Sequence, residues 1–277
     1  MLNRENIGDI LIGADPELFV QKGRHFVSGH LFPCGTKEQP MATANGALQN
    51  DGLALEFNIK PAASQSEFVE NMNAALKDLN EFLKSKDPNA KAVARPSIFF
   101  GVSKLKELPP YVYDLGCTPD YNAYYRHGTE PTPKPDFRTP FRTGAGHIHI
   151  GWGRDMNYGE KEYQMHCASL VEYLDCFVAL PSLLWDKDKR RRSLYGAAGS
   201  FRPKPYGLEY RVLSNAWVGN DKLTKYVYQQ TMKACIAFVQ TWALPLQKEL
   251  TRRIVNDSDA SWVTNPRYER VVRIINK

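Results

Sequence analysis

No stretch of this chain approaches the roughly 18 consecutive apolar residues of a membrane-spanning helix, so no membrane partner is expected. The first twenty residues also lack an apolar core, being interrupted by Arg4, Glu5, Asp9, Asp15 and Glu17. That pattern is unlike a signal peptide, and the expectation is a cytoplasmic protein. Cysteine is sparse: Cys34, Cys117, Cys167, Cys176 and Cys235 are odd in number, scattered and free of any C-x-x-C spacing. They read as reduced thiols, mostly core filler, and none sits in a recognisable nucleophile context. Lys37, in Gly35-Thr36-Lys37-Glu38, lacks the glycine spacing of a P-loop, so that phosphate-binding fold is not indicated. There is no internal repeat long enough to name and no low-complexity segment. A net charge of +6 could favour a nucleotide or nucleic acid but compels neither.

What remains is an ordinary globular chain: 277 residues, 43% hydrophobic and 24% charged, enough for one large domain or two small ones. Apolar alternation over Leu53-Ala54-Leu55-Glu56-Phe57-Asn58-Ile59 predicts a strand. Ile10–Gly13 and Glu17–Val20 predict a second, irregular at Pro16, with His25–Ser28 returning as a hairpin. Residues 29–51 read as a long loop, and residues 103–141, with seven prolines, as another that could wall a site. Ser64 with Glu67 forms a capping box ahead of a helix that ends at Asp87-Pro88. Ala92–Arg95 and Ser97–Phe100 predict strand broken at Pro96. Further helices are predicted from about Glu160 to Trp185, kinked or ended at Pro181, and from a cap at Asp221 to Pro245. A basic, helical tail follows from about 256. Arg190-Arg191-Arg192 reads equally as a solvated helix end or a phosphate site.

The chemistry gathers around Arg142-Thr143-Gly144-Ala145-Gly146-His147-Ile148-His149-Ile150-Gly151-Trp152. A strand alternates its side chains between faces, so His147, His149 and Gly151 share one side while Ile148 and Ile150 share the other. Three more segments pair polar groups at the same spacing: Asp15 with Glu17, Glu56 with Asn58, and Glu209 with Arg211. An antiparallel sheet with helices on one face would collect these groups on its other face. Crowded carboxylates repel unless cations relieve them. An oxygen-rich set with imidazole suits Mg²⁺ or Mn²⁺, and Mg²⁺ held by few protein ligands usually also holds substrate phosphates. Arg142, Arg202, Lys204 and Arg211 could complete a triphosphate clamp. The bland alternative is a set of ordinary cross-strand ion pairs on a solvated face.

Gly13-Ala14-Asp15-Pro16-Glu17-Leu18-Phe19, the Gly146-His147-Ile148-His149 strand and Arg202 through Arg211 occur in the chain order of the glutamine synthetase-like superfamily. The sequence most resembles its phage-type carboxylate–amine ligases (amidoligases), type 2. Gly35–Glu38, Asp51–Asn58, Gly116–Ala123 and, most specifically, Phe201–Asn215 carry the resemblance, which covers about residues 8–230. It implies one catalytic domain over 1–277 with an α+β fold: a curved antiparallel sheet of the glutamine synthetase/guanido kinase type, helices on its convex face. It implies an ATP- and Mg²⁺-dependent ligase (Mn²⁺ being an alternative) that activates a carboxylate as an acyl phosphate for attack by an amine. By position, Asp15, Glu17, Glu56, His147 and Glu209 would hold metal. His149, Arg202 and Arg211 would act on phosphates or the activated carboxylate, with Lys204, Arg142 and Lys37 as further nucleotide contacts. Asp15 stands where the family usually has glutamate, and Glu56 has only Asp51 as a candidate partner carboxylate. The implied partners are a small-molecule or peptide carboxylate and an amine. A nucleic-acid or protein acceptor, a homo-oligomer and a phage setting, hence a host cytoplasm, remain open. Two competitors stand: a guanidino or carboxylate kinase on the same sheet, and a non-catalytic nucleotide- or nucleic-acid-binding protein.

Overall fold

The computed structural model describes residues 1–113, 120–125, 129–130 and 138–276. Its strands are β1 (Leu11–Lys22), β2 (His25–Val27), β3 (Met41–Ala42), β4 (Gly46–Asp51), β5 (Ala54–Ile59), β6 (Ala90–Val93), β7 (Ser97–Phe99), β8 (Asp120–Asn122), β9 (Thr129–Glu130), β10 (Phe141–Thr143), β11 (Gly146–Gly151), β12 (Ser200–Lys204) and β13 (Gly207–Tyr210). One large sheet runs β3-β4-β5-β1-β11-β13-β12-β8-β9, with β2 and β6 pairing with the far end of β1 and a separate β7–β10 ribbon. Every pairing is antiparallel.

Side-chain alternation decides which face is covered. Ile12, Ala14, Leu18, Leu55, Phe57, Ile148, Ile150, Leu208 and Tyr210 are buried on one face, in a single core with Phe68, Met72, Leu79, Leu170 and Val171. The last five lie on the helices Gln65–Lys86 and Lys161–Leu174, which pack on the sheet; Asp221–Val239 packs across both. Each such Leu, Ile or Phe contributes about 1.5–3 kcal/mol when fully buried. The expected α+β architecture, helices on one face of an antiparallel sheet, is therefore the observed one. A second, smaller core of Phe19, Leu53, Ala54, Ile98, Phe100, Leu105 and Val112 lies on the opposite side. Phe19 and Ala54 alternate into the same face as Glu17 and Glu56, so this cluster walls one end of the polar face. The part of the proline-rich wall expected at 114–119, 126–128 and 131–137 lies outside the described residues, as do residues 116–119 of the Gly116–Ala123 segment.

Several local expectations need correction. Proline does not break β1, because Pro16 pairs with Gly146 at the end of the β11 ladder. There its missing N–H costs little, and the strand's next partners are on β5, starting at Glu17. Residues 29–51 are not all loop: Gly46–Asp51 forms β4 along the whole of β5. Its glycine is required, since a Cβ at Gly46 would fall 1.9 Å from the Asn58 carbonyl oxygen. The Ser64 cap is present, its hydroxyl accepting from Glu67 N at 3.3 Å, while Glu67 Oε2 accepts from Ala63 N at 2.8 Å. The helix after Glu160 passes into a π-helical turn, Asp175–Ala179, before Pro181 is reached. The cap of the long later helix is Asn220, one residue before Asp221, and that helix ends at Val239. The residues beyond 256 pack onto the fold: Val271 and Ile275 are buried, and buried Trp262 donates from Nε1 to the Leu180 carbonyl at 3.2 Å.

The arginine cluster fits neither earlier reading. Only Arg190 is exposed. The fully buried Arg191 guanidinium donates to the Val212 and Leu213 carbonyls, each at 2.7 Å, and Arg192 donates to Ser258 Oγ at 3.1 Å. Arg191 thus braces the chain just after β13, Arg192 reaches Ser258, and only Arg190 faces solvent.

Candidate functional site

Strand register brings the polar groups into rows. Gln49, Glu56 and Glu17 are consecutive partners across β4, β5 and β1. Asp15 lies opposite His147. His149, Glu209 and Arg202 are consecutive partners across β11, β13 and β12. These rows border one cavity of about 140 Å³, lined by the carboxylates Asp15, Glu17, Asp51, Glu56 and Glu209, by Gln49, Asn50 and His147, and by the cations Lys37, Arg202, Lys204 and Arg211. A second cavity of about 740 Å³ adjoins it and shares Asp15. Its other walls include His149, Tyr206, Asn58, Arg154, Trp152, Ile59 and Pro61, with Gly13 and Gly151 in its lining.

Ten of the eleven expected site residues thus border one or other cavity. Arg142 does not: it lies on the β7–β10 ribbon, where its Nη1 donates to the Thr139 and Phe141 carbonyls at 2.7 and 2.8 Å. The structure also brings groups outside that set to the site. Asp51, offered only as a stand-in, gathers with Glu17 and Glu56 so that one oxygen from each lies within 4.8 Å of the others. Gln49 donates to Glu56 Oε1 at 2.8 Å. Tyr206, in the turn between β12 and β13, meets His149 Nδ1 at 2.5 Å, and Tyr195 meets His147 Nε2 at 3.3 Å. Gln49 was hidden because β4 lacks apolar alternation. Tyr206 lies two residues after Lys204, and Tyr195 carries no sequence signal.

Two subsites differ in electrostatics. In the first, His149 Nε2 lies 2.9 Å from Asp15 Oδ2, and His147 Nδ1 lies 3.6 Å from Asp15 Oδ1 and 3.4 Å from Glu209 Oε1. Burial pushes the Asp15 carboxyl up, but the two imidazoles outweigh it and hold it well below the usual carboxylate range. Burial acts against the His149 imidazolium, yet Asp15 raises it above the ordinary histidine value. His147 is lowered by burial and by Arg211. Burial and Asp15 push Glu209 up, but His149, His147 and Lys204 bring it down; Lys204 Nζ is 2.7 Å away and the Arg211 guanidinium donates to it directly. In the second subsite the acids dominate. Burial, then Asp51, raises Glu17 well above the usual range, and burial with Asp15, Asp51 and Glu17 does the same to Glu56.

The donor sets fit divalent cations. Asp15, His149 and Glu209 form one group with ligand atoms within 4.8 Å of each other; Glu17, Asp51 and Glu56 form the other. Asp15 Oδ1 is a buried oxygen with no hydrogen-bond donor among the described residues, the kind of lone pair a cation would satisfy. Relative to the expected assignment, His149 joins a candidate ligand set directly, while His147 stands beside the same two acids.

Residues 136–252 match the family described as phage phiEco32-like COOH.NH2 ligase, type 2. That is the resemblance read from the motifs. The matched span contains β11, β12 and β13, hence His147, His149, Arg202, Lys204, Glu209 and Arg211, and the family's description is that of a carboxylate–amine ligase. No curated protein matches the sequence. Among solved structures, one described as the crystal structure of a novel glutamine synthase homolog is similar at 9% identity and a TM-score of 0.44, over 99% of this chain and 68% of that one. Among the described residues, no helix is long and apolar enough to cross a membrane.

Proposed function

We propose that the chain is an ATP- and Mg²⁺-dependent carboxylate–amine ligase whose active site is the pair of adjoining cavities. The observation that carries this reading is the convergence of five carboxylates and four cations in the smaller cavity, next to a larger, partly apolar one. Acids alone would suit a metal store and cations alone an anion site; both together suit a metal–polyphosphate complex. In this reading a nucleotide's base and ribose would occupy the larger cavity and its phosphates would extend into the smaller one past Asp15, which borders both.

Asp15, His149 and Glu209 would hold one divalent ion and Glu17, Asp51 and Glu56 another, with His147 beside the first. Bound there, the ions would neutralise charge on the transferring phosphoryl group. Arg202, Arg211, Lys204 and Lys37 supply fixed positive charge, Lys204 and Arg211 exchanging part of their contact with Glu209 for phosphate oxygens. In the first step a substrate carboxylate oxygen attacks the γ-phosphorus and ADP leaves, giving an acyl phosphate. In the second, the amine nitrogen attacks the acyl carbon, phosphate departs with the carboxylate oxygen, and the amine loses a proton. The small core of Phe19, Ile98, Phe100, Leu105 and Val112 bounds one end of this face and would limit water reaching the acyl phosphate.

The test uses ¹⁸O-labelled carboxylic and amino acids with pooled amines, ATP and Mg²⁺. The reading expects an amide mass, ADP, and one ¹⁸O transferred to phosphate. A stable phosphorylated product without amide would instead identify a kinase. Nucleotide binding with no ADP formed under any pool would identify a binding protein.

A further inference from the structure

Tyr195 contributes no acid or cation to either cavity, yet it touches two residues that do. It is nearly buried, at 7% exposure. Its hydroxyl lies 3.3 Å from His147 Nε2 and accepts a hydrogen bond from Arg211 Nη2. The Arg211 and Arg191 guanidinium groups lie over its ring at 5.3 and 5.8 Å from the centroid. Its backbone is held as well, its N–H donating to the Arg191 carbonyl at 2.8 Å. Arg191 in turn grips the carbonyls of Val212 and Leu213, immediately after Arg211. The phenol is thus fixed relative to both β11 and the end of β13.

His147 presents opposite nitrogens to different surroundings. Nδ1 faces the Asp15 and Glu209 carboxylates, while Nε2 faces the Tyr195 hydroxyl. An imidazole that ligates through Nδ1 must carry its proton on Nε2, and that proton needs an acceptor when buried. A tyrosine hydroxyl can accept it while keeping its own proton for another use. Arg211 cannot take that role, because a guanidinium only donates.

We propose that Tyr195 is a positioning residue that selects Nδ1 of His147 as the nitrogen offered to a divalent cation held with Asp15 and Glu209. The inference rests on the metal-dependent reading above and adds a residue and a nitrogen to it. The same hydroxyl ties the phosphate-facing Arg211 to this histidine, so the cation site and the anion site share one anchor.

The experiment measures Mn²⁺ binding by electron paramagnetic resonance in the wild-type chain, in Tyr195→Phe and in Asp15→Asn. Imidazole nitrogen shifts of ¹⁵N-histidine-labelled protein are then recorded with saturating Mg²⁺. Expected are Mn²⁺ binding by the wild type, loss in Asp15→Asn, and a weakening of about 10- to 100-fold in Tyr195→Phe. Wild-type His147 should show the Nε2–H tautomer, and the variant a mixture. Equal affinity in wild type and Tyr195→Phe overturns the proposal while leaving the metal reading standing. So does an Nδ1–H tautomer in the wild type, a result independent of how the variant folds. A weakened affinity with an unchanged tautomer shows a merely structural tyrosine and also overturns it. No Mn²⁺ binding by the wild type overturns the metal reading and this proposal together.

Discussion

Asp175 offers a quantitative test of how the functional strand is anchored from behind. It lies in the π-helical turn, fully buried, and accepts hydrogen bonds from Tyr210 at 2.6 Å and Tyr124 at 2.9 Å. Tyr210 is the residue between Glu209 and Arg211 and points into the core, so Asp175 holds the strand that presents both. Burial, only partly offset by the two phenols, pushes its carboxyl up from 3.8 to about 7. Between those values the folded chain keeps a proton that the unfolded chain has lost, so stability falls as pH rises through this window and levels off above it. A shift of about three units corresponds to roughly 4 kcal/mol in all, of which about 2–3 kcal/mol falls between about pH 5 and pH 8. Asp175→Asn removes the ionisation and keeps the shape. Urea unfolding of both proteins at the two pH values should show the variant gaining about 2–3 kcal/mol on the wild type at the higher pH. Any hydrogen-bond change enters as an offset common to both pH values. A stability difference that stays constant within about 0.5 kcal/mol, comparable to the error of the extrapolation, would show that Asp175 ionises normally and would refute the reasoning.

Other perturbations probe the remaining parts. Glu56→Gln removes one of three crowded acids, so protein treated with chelator should melt at a higher temperature than wild type, while the gain in melting temperature on adding Mg²⁺ or Mn²⁺ should shrink; calorimetry reads both. Arg191→Met leaves the Val212 and Leu213 carbonyls without this donor and should cost on the order of 2–6 kcal/mol, at about 1–3 kcal/mol per unsatisfied group, measured by chemical denaturation. At Gly207, where φ is +155°, a Cβ would fall 1.9 Å from the Ile150 carbonyl oxygen. Gly207→Ala should therefore part β11 from β13, lowering the melting temperature and activity together.

Much of the site is legible in the sequence because a strand's period of two is a strong constraint. Asp15 with Glu17, His147 with His149, and Glu209 with Arg211 could each be placed on one face from local spacing, and register then brings them together. What could not be read depends on pairing between distant segments. Gly46–Asp51 carries turn-forming residues and little alternation, and becomes a strand only against β5, so Gln49 is not legible there and Asp51 is legible only as a candidate partner for Glu56. Arg191 looks solvated beside Arg190 and Arg192, but its burial is set by carbonyls twenty residues away. Arg142, close in sequence to the histidine strand, lies on β10, which pairs with β7, and lines neither cavity.

In the proposed function these acids and bases grip a nucleoside triphosphate through divalent ions. Titrating a non-hydrolysable ATP analogue into the wild-type chain and Glu209→Gln by calorimetry, with Mg²⁺ and with chelator, tests it most directly. Binding by the wild type should require Mg²⁺ and be lost or strongly weakened in Glu209→Gln. Binding of equal strength with and without Mg²⁺, untouched by the substitution, would contradict it.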